Sequence, residues 1–220
     1  SWSSTRTLTL WSSSITCWTW NAQTTTNLTF NPNTSTITMT GQTTFNWWSL
    51  TYYNVAMTDN ATISWNNTFD MLTFTWSASQ SANISLNSSN QTINTKLNVN
   101  WNSYANRMLI RSSWLWSART LTLNGTFSGQ YFDFRDITWA GSFGWDLSTG
   151  ITGNSWDAWW NTGITFTAPV TNYRVWNGWS WTGAAKWASS SGGGAGSGRI
   201  PLPQDIVRID SNSISSWSQV

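Results

Sequence analysis

Residues 4–14 read "STRTLTLWSSS", and residues 117–128 return to the same phrase as "SARTLTLNGTFS". Within each copy Leu alternates with Thr, the period-two pattern of a strand with one buried face. The pattern recurs in "TITMT" (36–40), "ATIS" (61–64), "ANISLN" (82–87) and "KLNVN" (96–100), with no helical stretch between. Short strands thus follow one another from about residue 7 to residue 137, a spacing open to a sandwich, a barrel or a solenoid. A separation of 113 residues between the two copies is too long for one coil of a solenoid but natural for a block of several coils.

Charge decides between these architectures. Only 8% of the 220 residues are charged, and Ser, Thr and Asn dominate the polar remainder. In a parallel solenoid, equivalent residues of successive coils lie about 4.8 Å apart. Like charges stacked at that distance repel, whereas Thr, Ser and Asn form hydrogen-bonded ladders. The expected fold is therefore all-β, a parallel β-solenoid of five or six coils over 1–137, with a β-sandwich as the alternative. Leu8, Leu10, Ile37, Met39, Ile84, Leu86, Leu97, Val99, Leu121 and Leu123 are the expected inward positions. Residues 138–171 read as a loop-rich connection. Residues 172–220 read as the start of a second β unit containing a Gly/Ser linker.

The same composition narrows function. The chain has no His, and its eight acids are all Asp, which removes the commonest general base and metal ligand. A net charge of +2, scattered along the chain, does not suggest nucleic acid binding. No apolar window is long enough for a membrane-spanning helix. A single cysteine, Cys17, cannot form an internal disulfide and reads as a small packed hydrophobe. Asp133 and Asp136, in "YFDFRDIT", are the nearest thing to a carboxylate pair, but residues three apart on a strand point to opposite faces. Asp205 and Asp210 lack the spaced loop of a calcium site. No catalytic residue, metal site or cofactor is expected.

Two runs carry a family resemblance. "NRMLIRSSWLWSARTLTLNGTFSGQYFDFRDITWAGS" (106–142) and "GITFTAPVTNYRVWNGWSWTGAAKWASSSGGGAGSGRIPLPQDIVRID" (163–210) resemble repetitive β-solenoid proteins. These are large adhesin-like surface proteins and phage tail or appendage proteins of uncultured bacteria and their viruses. The resemblance implies a non-catalytic structural or adhesive segment, extracellular, on a cell surface or virion, touching surface glycans or other copies of itself. A polysaccharide-binding or polysaccharide-degrading β-helix is the alternative.

The departures from the family pattern share one form, Trp where it has Gly. Trp116, Trp139, Trp156, Trp159, Trp160, Trp176 and Trp179 are of this kind, and Trp65, Trp76 and Trp101 occupy similar turn positions. Trp181 and Trp187 match family tryptophans, and Trp145 is compatible with one. Composition points the same way without the family. Residues 1–124 hold one glycine, Gly41, and eleven tryptophans, although an all-β chain needs turn residues that accept positive φ. The expectation is that UGA is a glycine codon in this gene and has been read as Trp. If the tryptophans are genuine, the "SWDAWW" loop makes Trp156, Trp159 and Trp160 a surface for stacking on sugar rings.

Overall fold

The computed structural model describes residues 4–21, 24–46, 49–75, 82–100, 106–129, 131–148, 154–176 and 180–213. The chain divides into two compact units, Ser1–Phe166 and Thr167–Val220. The first is a parallel β-solenoid. In chain order its strands are β1 (Arg6–Thr9), β2 (Ser14–Asn21), β3 (Leu28–Asn31), β4 (Thr36–Asn46), β5 (Thr51–Met57), β6 (Ala61–Ser64), β7 (Thr68–Thr75), β8 (Ala82–Asn87), β9 (Gln91–Asn100), β10 (Met108–Ser112), β11 (Arg119–Leu123), β12 (Thr126–Gly129), β13 (Phe132–Arg135), β14 (Ile137–Ala140) and β15 (Trp156–Asp157). β1 pairs with β3, and the other strands share one 13-stranded sheet that wraps around the core, every one of its pairings parallel.

Three faces result. β1, β3, the start of β5, the start of β7, the start of β9, β11 and β14 open successive coils. The second face runs through the first half of β4, the ends of β5, β7 and β9, and β12. The third runs through the second half of β4, then β6, β8, β10, β13 and β15. The repeated phrase at 6–10 and 119–123 falls on β1 and β11, the same face of two coils.

Coil length varies. Val55 lies over Leu72, but Leu97 lies over Phe127, a step almost twice as long in sequence. The extra residues leave at the corners, so the stack keeps its register while the sequence loses its period. Inward side chains form continuous columns. Ile37, Val55, Leu72, Leu97 and Phe127 make one, and Ala61, Ile84, Ile110 and Phe134 another. Of the inward positions expected from alternation, all are buried except Leu8, which is half-buried against the same core. Cys17 packs there too, half-buried. An aromatic knot of Phe45, Tyr52 and Phe69 fills the earlier coils, with ring centroids 4.9–5.7 Å apart.

The stack continues beyond residue 137, where the sequence had marked a connection. β14 pairs with β11, β15 with β13, and single parallel bridges join Thr138 to Thr162 and Asp146 to Thr165. Gly, Ser and Asp interrupt these strands so often that alternation is lost, yet the backbone still pairs: Trp139 donates to the Thr162 carbonyl and Leu147 to that of Thr165. The division between units falls after Phe166 rather than near 171.

The second unit is a small mixed sheet. β16 (Thr171–Arg174) lies between β17 (Trp187–Ala188), antiparallel, and β18 (Ile206–Arg208), parallel. Trp187 is fully buried, with Trp181, half exposed, meeting it edge-on at 4.8 Å. The Arg174 guanidinium lies over three indoles, 5.3 Å from Trp187, 5.8 Å from Trp176 and 5.9 Å from Trp181. Asp205 ties the unit together. Its fully buried carboxylate accepts a two-pronged bond from Arg199 and further bonds from the Val170 and Leu202 amides and the Asn172 side chain. Burial opposes its ionisation, but these donors and the Arg199 charge outweigh burial and hold the carboxyl below its usual pKa.

Two outcomes follow for stability. Phe69→Ala should destabilise the first unit by about 3–5 kcal/mol in urea titration, the usual range for an aromatic deleted from a closed core. A carboxyl whose pKa is depressed on folding contributes stability above its unfolded value, and loses it as pH falls through the folded one. The second unit should therefore weaken as pH drops below about 4. Asp205→Asn should flatten that dependence and lower stability at pH 7 by about 3–5 kcal/mol, since it leaves Arg199 without its counter-ion.

Candidate functional site

The corner between the third face and the first is where the backbone is most constrained. Each turn from the third face to the first holds a residue at positive φ: Asn27 (57°), Ser49 (44°), Trp65 (67°), Ser88 (53°), Trp116 (64°), Asp136 (55°) and, after β15, Trp160 (54°) beside Trp159. The corner between the first and second faces makes the same demand at Trp11 (54°) and Asn33 (46°). Asn, Asp and Ser enter this region at modest cost, their short side chains bonding to nearby backbone. Trp has no such compensation, and each such residue costs roughly 1–2 kcal/mol. Trp159 is more extreme, with φ of 131°. The glycine Gly141, at φ 104°, shows what an unstrained residue does here: a Cβ on it would lie 2.1 Å from the Leu123 carbonyl oxygen.

Most of these corner indoles stand out from the surface. Trp11, Trp116, Trp159 and Trp160 are 60–70% exposed, and Trp114 and Leu115 are similar. Trp116 and Trp160 meet edge to face, with centroids 5.1 Å apart. Trp65 donates from its indole to the Asn46 side chain at 2.8 Å, and Trp114 to the Ser88 hydroxyl at 3.1 Å. The three loop tryptophans do not share one environment. Trp159 and Trp160 project from the corner, whereas Trp156 lies in β15, half-buried and in register with Asp133. The sugar-stacking surface expected from that loop is thus two exposed rings beside Trp116, with Trp156 set apart in the sheet.

Trp139 differs again. It points inward from β14, buried, with its ring centroid only 3.6 Å from that of Trp145 at an interplanar angle of 39°. Aromatic pairs usually keep about 4.5–7 Å. Both indole N–H groups are buried without a hydrogen-bond acceptor among the described residues. The core there is overfilled by one indole. Trp176 faces Arg174 in the second unit, and Trp76, Trp101 and Trp179 lie outside the described residues.

The carboxylates are held structurally. Asp133 faces outward from β13 and is buried under a two-pronged bond from Arg107, whose guanidinium also donates to the Phe132 and Asn154 carbonyls. Burial raises the Asp133 pKa, and Arg107 pulls it back part of the way. Asp136 sits at the corner, 3.4 Å from the Arg135 guanidinium, its backbone bonded to Trp159 and Arg119. Asp210 closes a turn by accepting from Asn212 and Ser213. Asp205 and Asp210 therefore serve separate local structures. The described residues contain no cluster of His, Cys, Asp or Glu suited to a metal, and no helix long and apolar enough to cross a membrane. No family model, curated protein or solved structure matches the chain.

The backbone strain at the corners has a direct test. Trp11 is exposed and Trp18, at a bulge in β2, is equally exposed but has no positive φ. Trp11→Gly should stabilise the protein by about 0.5–1 kcal/mol, relief of a left-handed Trp less the added freedom of unfolded Gly. Trp18→Gly should give no gain. Urea titration of the two variants reads the difference.

Proposed function

We propose that the chain is a non-catalytic, structural and adhesive segment of a large extracellular repeat protein, carried on a cell surface or a virion appendage. The observation that carries this reading is the uninterrupted parallel stack, whose outward positions are Thr, Ser and Asn presented rung after rung. Such a surface suits contact with glycans or with other copies of the same protein. A polysaccharide-cleaving relative would use two carboxylates about 5–10 Å apart in one groove. Asp133 and Asp136 are instead each neutralised by their own arginine.

The reading includes the decoding of the corner tryptophans as glycine. Support comes from the corner columns, where Trp65, Trp116 and Trp160 occupy positions that demand positive φ, and from the overfilled pair Trp139 and Trp145. With glycine there, the exposed rings of the 156–160 loop vanish, and adhesion rests on the polar faces.

Antibodies to residues 1–166 are expected to label intact cells or particles and to lose their epitope after mild external proteolysis. Labelling that requires permeabilisation overturns the surface assignment. In the gene, Trp11, Trp65, Trp116, Trp159 and Trp160 are expected to be UGA codons. UGG at these positions overturns the glycine decoding.

A further inference from the structure

The third face carries one exception to the rule that keeps like charges from stacking. Thr44, Thr62, Ser85, Arg111 and Arg135 form a single outward column, each in register with the next. Arg111 and Arg135 therefore stack as like charges on adjacent rungs, an arrangement that destabilises a sheet. Arg135 has Asp136 as counter-ion and also donates to the Ser112 carbonyl. Arg111 has no hydrogen bond or ion pair among the described residues, the nearby acids being taken by Arg107 and Arg135. Burial, together with the Arg135 charge, pulls its pKa below the ordinary guanidinium value.

Arg111 forms one end of a depression of ≈ 400 Å³ on this face. The rest of the lining is neutral and, apart from Ala61, polar: Gln42 and Thr44 on one rung, Asn60 and Thr62 on the next, Asn83 and Ser85 on the third. Of these, Asn60 accepts from the Asn83 amide and Ser85 shares a hydrogen bond with Ser113, so the lining is ordered. The sheet's backbone groups are already paired, which leaves side chains alone to contact a ligand. A linear molecule laid along the solenoid axis meets a new hydroxyl or amide about every 4.8 Å, and a guanidinium at the end.

We infer that this depression binds an acidic polysaccharide, with sugar hydroxyls on the Gln, Asn and Thr rungs and one sugar-borne anion on Arg111. A neutral sugar chain would leave the guanidinium unmatched, and a peptide would find no apolar pocket to anchor it. The planar fork of Arg suits a carboxylate, which it holds by two parallel bonds. No tryptophan lines the depression, so the site is the same whether the corners hold Trp or Gly. The inference rests on the adhesive reading and names its ligand class.

Affinity electrophoresis of the whole chain in gels containing polygalacturonate, dextran sulfate, polyglutamate or neutral dextran tests it. The expected result is retardation by polygalacturonate and not by dextran, weakened at least about tenfold by Arg111→Ser and less by Arg111→Lys. Arg208→Ser, which removes an exposed charge in the second unit, should have no effect. Binding to dextran sulfate through Arg111 supports the site and identifies its anion as sulfate. Equal retardation by polyglutamate overturns the assignment to sugar. Retardation unchanged by Arg111→Ser, matched by Arg208→Ser, equal with dextran, or missing with all polymers overturns the site. Surface labelling of intact cells then judges the adhesive reading separately. Arg111→Ser removes a like-charge neighbour, so its urea midpoint is expected to equal or exceed the wild type's, which separates lost binding from lost folding.

Discussion

In a parallel solenoid each residue sits directly above its counterpart, about 4.8 Å away, and this proximity governs the rest of the structure. Inside, it lets Ile, Val, Leu and Phe of successive coils pack into unbroken columns, so that each coil buries its apolar face against the next. Outside, it forbids runs of like charge and favours Thr, Ser and Asn. The low charge of the whole chain is a consequence of that spacing. The stacked pair Arg111 and Arg135 stands against it, and an arrangement that costs stability without a structural gain is where a ligand's charge fits.

The second constraint lies at the corners. A strand must bend sharply to reach the next face, and a residue at positive φ is the means. Where Asn, Asp or Ser fills that position the corner is ordinary. Where Trp fills it, the backbone conformation and the side chain disagree, and the disagreement recurs in register along one edge of the molecule. Buried polar groups solve the related problem of unpaired backbone near the corner: Asn67 donates to the Ser64 and Trp65 carbonyls, Gln91 to that of Trp65, and Ser89 to that of Ile63. These bonds close the corner at residues 63–65 on the inside while Trp65 turns it.

Function follows from which groups the stack leaves over. Asp133 and Asp205 each close an ion pair that holds neighbouring segments, and Asp136 lies against its chain neighbour Arg135. The outward Thr, Ser and Asn rungs are less committed, and they lie in rows matched in direction to a linear polymer.

Alternation of Leu and Thr was enough to identify strands and to sort inward from outward residues, because the side-chain period of a strand is two whatever it pairs with. The scarcity of charge, together with a repeated phrase, was enough to favour stacking over a sandwich. Single residues were also legible where chemistry is local: of the tryptophans that the sequence places at turns, Trp65, Trp116, Trp159 and Trp160 take positive φ, whereas Trp139, Trp156 and Trp176 do not. What only the tertiary structure decided is which residues share a rung. Coil lengths are irregular, so no fixed period places Arg111 over Ser85 and under Arg135, or Arg107 beside Asp133. The continuation of the stack to Phe166 was hidden for the same reason. Strand pairing there is made by backbone groups, which every sequence carries, and not by the alternation that makes a strand visible.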